Sequence, residues 1–521
     1  MSFFRASHAW LLAAVLSIAY LIVAPPSSDL AAQQYRTDLA KHAGLTLWDN
    51  AWYGGHHMPG YSVLFPPIGA ILTPQVTGAL AAVAAAWLFA RIAESHWGPD
   101  AALAAWWFAA ASAAMLLTGR LTFALGLAFG LAAVRLAQID GKVGRIGAPV
   151  AAVLCTLASP VAGLFLALGA CAWFLADRRH RPNAAWLAAA ALVPAAFLSI
   201  AFPEGGVEPF HGQSFWPAIA VLVVLFAVLP PRERLLRTGI VLYVLAIVAS
   251  FVLDTPMGNN VNRLGALFAG PLLACALWPR HRALLALCAL PLLYWQFLSP
   301  VADWQKARDD ASVHAYYYEG LRAFLAEQPG TFRVEVPFTV SHWEARYVGL
   351  DRPLARGWQR QLDMKVNALF YEGKLTPDEY HRWLTRLGVR FVALPKGVPL
   401  DHSSAQEEAL IRSRPDFLVP VWSDAHFDVY RVKDAAPLAR GGAELTSMQT
   451  DGFTLRADRP GTVTEVSVHW SPYWALERGR GCVEPAPGDW TRVRLKDAGV
   501  AHVGMDFALG RIQARSPRCN P

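Results

Sequence analysis

Apolar residues fill the first 300 positions in runs of roughly helix length, separated by short polar turns. The runs fall at 9–24, 76–92, 101–118, 121–138, 147–158, 160–176, 184–202, 215–230, 238–253, 263–278 and 283–299. Uninterrupted stretches of this length predict membrane-spanning or buried helices rather than half-buried strands. The two runs flanking Ser159–Pro160 are short for full crossings, which take about 20 residues each. Proline cannot continue a regular helix, so this pair is expected to form a broken or re-entrant hairpin. The pattern amounts to about 11 membrane segments. The run from Trp10 to Ala24 has no small-residue cleavage site and is expected to remain as a first helix.

After Pro300 the pattern changes to short alternating runs. TFRVEVP (331–337), RFVALP (390–395) and FDVYRV (427–432) predict strands. Helical periodicity lies between them at 312–327 and 376–387, where Thr376 and Pro377 mark an N-cap and first turn. From about 441 onward, FTLRA, TVTEVSVHW and TRVRL alternate between Gly, Pro and Asp turns, the pattern of a small β module. The expected division is a transmembrane domain over 1–300 with a long first loop at 25–67, an α/β domain over 301–440 and a β-rich module over 441–521.

Composition agrees with an α-helical polytopic membrane protein: 55% of the 521 residues are hydrophobic and 16% charged. A net charge of +7 would point to nucleic acid in a soluble chain, but here the basic residues fall in the loops between apolar runs. With a cytoplasmic N-terminus, alternate loops hold Arg5, Arg91, Arg135, Lys142, Arg145, Arg178, Arg179, Arg181, Arg232, Arg234, Arg237, Arg280 and Arg282 on the inside. The outside loops hold only Arg36, Lys41, Arg120 and Arg263. By the positive-inside rule this bias puts loop 25–67 and everything after Pro300 outside the cytoplasm, on a plasma-membrane protein with an extracytoplasmic C-terminal region. Cys155, Cys171, Cys275 and Cys288 lie in apolar runs and are expected to pack as small hydrophobes. Cys482 and Cys519 lie outside the membrane, where an oxidising compartment favours their pairing. No cysteine spacing matches a metal site.

The polar chemistry of the membrane half concentrates in loop 25–67, which carries Asp29, Asp38, Asp49, Arg36 and the run WDNAWYGGHHMPGYSVLFPP (48–67). A first helix, a large outer loop with an early Asp, GGH…PGYS…PP leading into the next helix, a helix broken at Ser-Pro and an external C-terminal domain together resemble the GT-C superfamily of membrane glycosyltransferases. The architecture is similar to that of actinobacterial-type polytopic proteins with an external C-terminal domain. HWSPYWALERGRGCV (469–483) is similar to the terminal β module of bacterial lipid-linked glycosylation proteins. The resemblance implies a GT-C-like fold, a polyprenyl-phosphate sugar donor, a glycan or lipid acceptor outside the cytoplasm, and a first-loop carboxylate as base. By position Asp29 matches that base. The chain has Asp29–Leu30 where the family commonly has two adjacent acidic residues, so a divalent cation is optional and Asp38 and Asp49 remain rivals.

Transfer from a polyprenyl phosphate needs a base for the acceptor hydroxyl, cations for the departing phosphate and a surface for the sugar. Direct displacement would invert the anomeric centre. A carboxylate supplies the base, and Asp29 and Asp49 are the candidates; the plainer reading of Asp29 is a cap on a short loop helix. Asp38 beside Lys41 reads as a surface ion pair. Arg120 and Arg263 end helices at the outer headgroup level, where forked guanidinium donors suit phosphate; the plainer reading is snorkelling to lipid headgroups. Asn260 and Asn262, with Asn259, add polar groups beside Arg263. His56 and His57, being adjacent, do not form a helical ligand pair and are expected to bond within the loop or to a sugar. Trp52 and Tyr53, with Trp48 and Tyr61, suit an interfacial belt or stacking on a sugar. In the external domain Trp343, Trp358, Trp470 and Trp474 fit either glycan recognition or core. Rival functions are a multi-pass transporter or lipid-carrier flippase, and a non-catalytic glycan-binding or assembly protein of the cell envelope.

Overall fold

A computed structural model describes residues 5–520, which divide into two compact units. The first unit takes the chain up to Gln33, then Gly60–Ser199 and Gly205–Arg308. The second takes Gln34–Pro59, Ile200–Glu204 and everything from Asp309 onward. The first loop therefore contributes to both units, whereas the linear pattern grouped all of it with the helices.

The first unit is helical: α1 (Ala9–Val23), α2 (Ser28–Ala43, which runs on into the second unit), α3 (Phe65–Leu72), α4 (Pro74–Trp97), α5 (Ala102–Ala114), α6 (Leu121–Ala137), α7 (Lys142–Ala158), α8 (Pro160–Ala176), α9 (Arg181–Ala201), α10 (Gly212–Val228), α11 (Arg234–Val252), α12 (Asn262–Leu277) and α13 (Arg282–Arg308). Each apolar run of the sequence is one of these helices. Among the described residues six helical stretches are long and apolar enough to cross a membrane, the 45-residue stretch Pro74–Thr118 holding both α4 and α5. The chain is a multi-pass membrane protein. Seventeen-residue helices such as α6, α8 and α10 reach about 25 Å at 1.5 Å per residue, a little short of a hydrocarbon core of about 30 Å. Small residues let α1, α4 and α5 approach closely, with Ala9, Ala13, Ala86, Ala90, Ala105 and Ala109 all buried where they meet.

The break at Ser159–Pro160 is present and its cause is local. Ser159 adopts an extended conformation (φ −156°, ψ 111°), its side chain accepts from the Ala162 N–H, and Pro160 opens α8. Ending α7 there frees its last carbonyls, which cost heavily if left bare in a bilayer. The first loop satisfies them: Val63 and Leu64 N–H donate to Leu157 at 2.9 and 3.1 Å, and Ser62 Oγ donates to Ala158 at 2.7 Å. Pro300 does not end the last helix, as the apolar pattern implied; α13 runs through Pro291 and Pro300 to Arg308. An internal proline bends a helix packed against neighbours rather than stopping it. Cys155, Cys275 and Cys288 are buried as expected, while Cys171 is exposed on α8.

The second unit has three sheets besides a two-stranded ribbon, β1 (Trp48–Asp49) with β2 (His56–His57). β3 (Arg333–Glu335), β4 (Val389–Pro395), β5 (Leu418–Ser423) and β6 (Phe427–Val432) form one sheet in the order β3-β4-β6-β5. β3 runs parallel to β4, and the other pairs are antiparallel. α14 (Glu319–Ala326), α15 (Glu344–Tyr347), α16 (Arg360–Val366), α17 (Pro377–Leu387) and α18 (Ala405–Arg412) flank it. α17 starts as its sequence requires, with a reciprocal capping box between Thr376 and Glu379. The helix expected over 312–327 is shorter, since 311–318 forms two 3-10 turns. Pro420 obscures the strand pattern of β5 in the sequence, and the strand lies at the sheet edge where proline is tolerated.

The remaining strands make a sandwich. β7 (Ala439–Gly441), β10 (Val463–His469), β12 (Gly481–Pro485), β13 (Trp490–Leu495) and β15 (Arg518–Asn520) form a five-stranded sheet, and β8 (Ala443–Gln449), β9 (Gly452–Ala457), β11 (Trp474–Arg478) and β14 (Gly499–Met505) a four-stranded one. Phe453, Leu455, Val466, Val468, Trp474, Val493 and Val503 fill the core between them. Trp48 of the first loop is part of that core, edge-on to Trp474 at 5.4 Å. Cys482 and Cys519 are paired in a disulfide, facing each other across β12 and β15.

Two measurements test this description. The bridge closes a loop with a sequence separation of 37, so the Cys482→Ser/Cys519→Ser double variant loses about 3–4 kcal/mol of sandwich stability in the chain-entropy model. Denaturant unfolding checks it, and a loss below about 1 kcal/mol counts against the staple. Second, burial pushes the Glu344 carboxyl up to about 8, with Asp310 adding to it and Thr339 opposing; His342 and Tyr318 also face it. The folded state then holds its proton more tightly than the unfolded chain, so this stabilisation is complete below about pH 4.3 and is lost as pH rises towards 8. The melting temperature of Glu344→Gln is expected to fall less over that interval than that of the parent.

Candidate functional site

The structure draws three of the candidate residues, distant in sequence, into one cluster of the first unit. Asp29 stands in the first turn of α2, where the positive helix end favours a carboxylate. Arg120 lies in the turn before α6, and its Nε donates to Asp29 Oδ2 at 2.9 Å. Gly119 makes this approach possible: its φ is +70°, and an added Cβ would collide with the Leu30 amide and Ser27. Arg120 Nη1 reaches Ser299 Oγ of α13 at 3.5 Å, and Asp303, one turn further along, acts on the same guanidinium. Burial works against the Arg120 charge, but Asp29, Asp303 and Glu208 outweigh it and hold its pKa above the ordinary value. The ion pair is only about a third exposed, each side chain at 30%.

Arg263 completes the cluster from the first turn of α12. It lies within electrostatic reach of Asp29 and Glu208, which attract it, and of Arg120, which repels it. A cation at a helix N-terminus, beside a second cation, is electrostatically unfavourable unless an anion compensates it. Its Nε is buried with no hydrogen-bond partner among the described residues, and its guanidinium lies 5.8 Å from the centre of the Phe123 ring. Asn260 Nδ2 donates to the Pro256 carbonyl at 3.3 Å and Asn262 Nδ2 to Asn259 Oδ1 at 2.8 Å, so both help close the turn before α12. Asn262 Oδ1 is buried without a hydrogen-bond partner among the described residues. Gln33 Nε2 donates to Tyr61 Oη at 2.7 Å on the loop side.

Phe123, under Arg263, also lines an apolar cavity of ≈ 710 Å³. The cavity follows α6 from Phe123 to Ala137 and α8 from Ala162 to Ala176, with walls from α10, α11 and α12. Its far rim carries His96, Asp140, Asp177, Arg232, Glu233 and Arg234. A passage along 14 residues of helix is about 21 Å deep. Guanidinium groups near one end of an apolar cavity of that depth can hold a lipid bearing an anionic head.

The other candidates lie in the second unit. Asp49 is fully buried, accepts from Tyr35 Oη at 2.8 Å and closes its own turn through the Ala51 N–H. Trp52 is fully buried, stacked on Tyr35 and His56, with Gly357 against its ring. Tyr53 Oη donates to the Gly357 carbonyl and accepts from the Gln359 N–H. His57 Nδ1 meets Glu204 at 2.7 Å and its Nε2 meets Ser471 Oγ at 3.0 Å. Burial raises the Glu204 carboxyl, but the hydrogen bond and charge of His57 prevail and hold it below the ordinary value. His56 is buried with neither ring nitrogen hydrogen-bonded among the described residues, and desolvation depresses its imidazole despite Asp49 and Glu204. Asp38 pairs with Lys41 at 3.5 Å and with Arg346 at 3.0 Å. Trp343, Trp470 and Trp474 are buried.

No motif in the sequence marks Asp303, Ser299 or Glu208. Placing the end of the membrane helices at Pro300 assigned Asp303 to the external domain, yet it is one turn beyond Ser299 on the same helix face. Glu208 lies in the loop before α10, a stretch with no motif to mark it.

No protein-family model matches the chain, and no curated protein matches it. Among solved structures it is similar to the arabinofuranosyltransferase AftD from Mycobacteria, at 15% identity and a TM-score of 0.48 over 97% of this chain. A mutant form of that enzyme matches at 14% identity and a TM-score of 0.41 over 94% of this chain. The chain spans 57% and 58% of the length of those two structures.

The close fit at Gly119 dictates a stability contrast. Gly119→Ala forces a left-handed φ and a backbone collision on the turn, at a cost of about 1–3 kcal/mol. Asp29→Asn removes a partly exposed ion pair, at about 1 kcal/mol or less. Thermal unfolding of both variants in detergent checks the order; a larger loss in Asp29→Asn would mean that the ion pair, not the backbone fit, holds the cluster.

Proposed function

We propose that the protein is a GT-C type glycosyltransferase of the plasma membrane. It takes a sugar from a polyprenyl-phosphate donor and transfers it, with inversion, to a glycan or lipid acceptor outside the cytoplasm. The observation that carries this reading is the cluster of Asp29, Arg120 and Arg263 close to Phe123 on the wall of the apolar cavity. The cavity accepts the prenyl chain, and the guanidinium groups of Arg120 and Arg263 accept the phosphate; the Arg263 Nε has no hydrogen-bond partner among the described residues. As the anomeric bond to phosphate breaks, negative charge grows on the departing oxygens, and two fixed cations stabilise it.

Asp29 is the proposed base. Its Oδ2 is held by Arg120, which leaves Oδ1 to take the acceptor hydroxyl proton as the new glycosidic bond forms. Asp49 is fully buried, with Oδ2 accepting from Tyr35 and Oδ1 from the Ala51 N–H, so an acceptor hydroxyl has no access to it and its part is to hold the loop. No group of three or more His, Cys, Asp or Glu that could hold a metal is present among the described residues, and the proposed step draws on side chains alone. The loop charges favour an extracytoplasmic site.

The test uses purified protein in nanodiscs with undecaprenyl phosphate as the probe for the lipid site and membrane-derived donor for turnover. Arg263→Ala is expected to weaken undecaprenyl-phosphate binding about tenfold to a hundredfold, the worth of a charged hydrogen bond. Asp29→Asn is expected to keep that binding and lower transfer about 10²–10⁴-fold. Unchanged binding in Arg263→Ala would leave that residue a lipid anchor, and full transfer in Asp29→Asn would take the base role from it.

A further inference from the structure

We propose that Gly169 and Gly239 make the cavity a gauge of lipid chain length, so that the protein selects long single-chain prenyl phosphates over short ones. This rests on the donor reading above and goes further, to the feature of the lipid that is recognised.

Glycine weakens a helix, and in a membrane bundle its usual return is close helix packing. Several cavity glycines serve that purpose. A Cβ on Gly126 would meet the Ala162 Cβ at 2.8 Å, one on Gly130 the Cys155 sulfur at 3.2 Å, and one on Gly265 would collide with Trp295. Gly169 and Gly239 do not. An added Cβ on Gly169 meets nothing within 4 Å, and on Gly239 only Ala172 Cβ at an ordinary 3.8 Å. Both line the cavity. What these two glycines preserve is therefore open volume, not a helix contact.

Their depth gives that volume a meaning. Gly169 is nine residues into α8, about 14 Å along the helix from the break at Ser159. Phe123, beneath Arg263, and Ala162 line the near end, so a chain anchored by its phosphate passes Gly169 only if it is long. The anchor is cationic, which suits a phosphate, and the walls are apolar, which suits hydrocarbon. A short prenyl chain fills the near end alone and gains nothing from the deeper walls, while each further buried methylene adds to the affinity of a long one.

The experiment compares undecaprenyl phosphate with geranyl phosphate, binding each to the full-length protein in nanodiscs and reading occupancy by native mass spectrometry. Wild type is expected to prefer the long chain by about tenfold or more. Gly169→Leu, which projects into open space and raises helix propensity, is expected to weaken the long chain about tenfold and leave the short one within about twofold. Gly239→Leu is expected to do the same, and retained binding of geranyl phosphate shows that each variant is folded. Equal affinity of wild type for the two chains, or a leucine variant that weakens both alike, overturns the gauge while leaving the donor reading intact. Binding of neither prenyl phosphate by wild type, with a two-chain glycerophospholipid in the cavity, overturns the donor reading itself.

Discussion

Hydrocarbon offers no hydrogen bonds, so a helix that stops inside a membrane protein must find partners for its last carbonyls, and this constraint shapes the first unit. α7 ends at Ala158 because Pro160 cannot continue it, and residues 62–64 of the first loop supply the missing donors. A loop fastened at that point, together with the turn at Gly119 lying against Leu30, sets Arg120 beside Asp29. The candidate chemistry thus follows from backbone bookkeeping in a solvent that forgives no unpaired amide.

The same loop meets a different constraint in the second unit. Trp48, Trp52 and Tyr53 bring large apolar rings with one polar atom each, and every such atom has a partner: Trp48 Nε1 on Asn50, Trp52 Nε1 on the Ala345 carbonyl, Tyr53 Oη on Gly357 and Gln359. Gly55, at φ +107°, lies so close to Trp48 that a side chain there would enter its ring. An aromatic run in a loop is equally compatible with a sugar platform and with a wedge into a core. Burial here favours the wedge.

What was legible in the sequence follows from which signals are local. Hydropathy over a helix length is local, and each apolar run became a helix; the Thr376 capping box and the alternating strands of the sandwich are local as well. Asp29, Arg120 and Arg263 could be proposed because polar groups at the ends of apolar runs stand out. Their mutual proximity, and the joining of Asp303 to them, depend on how helices pack and on α13 passing through Pro300. No spacing in one chain encodes that. Glu204 and Ser471, which hold His57 from opposite sides, are separated from it by 147 and 414 positions and were invisible for the same reason.

Buried charge in this protein takes two forms, and the difference bears on where a ligand belongs. Arg356 is 1% exposed, and its nitrogens are spent on Asp363, Glu407 and Ser403, with Phe338 and Phe370 on its faces at 3.9 and 4.1 Å. Such a network stabilises only as a whole, since loss of one member strands the others at about 3–5 kcal/mol. Arg333 Nε and Nη2 also lack partners among the described residues, but Arg333 is fully buried and its Nη1 donates to the Leu387 carbonyl. Arg263 is partly exposed, stands at the wrong end of a helix dipole, faces a second guanidinium and lies over the wall of a cavity. An unsatisfied cation with access is costly to the free protein, and the cost is relieved when an anion arrives. That asymmetry, rather than any single motif, is why the anion of the substrate belongs at α12.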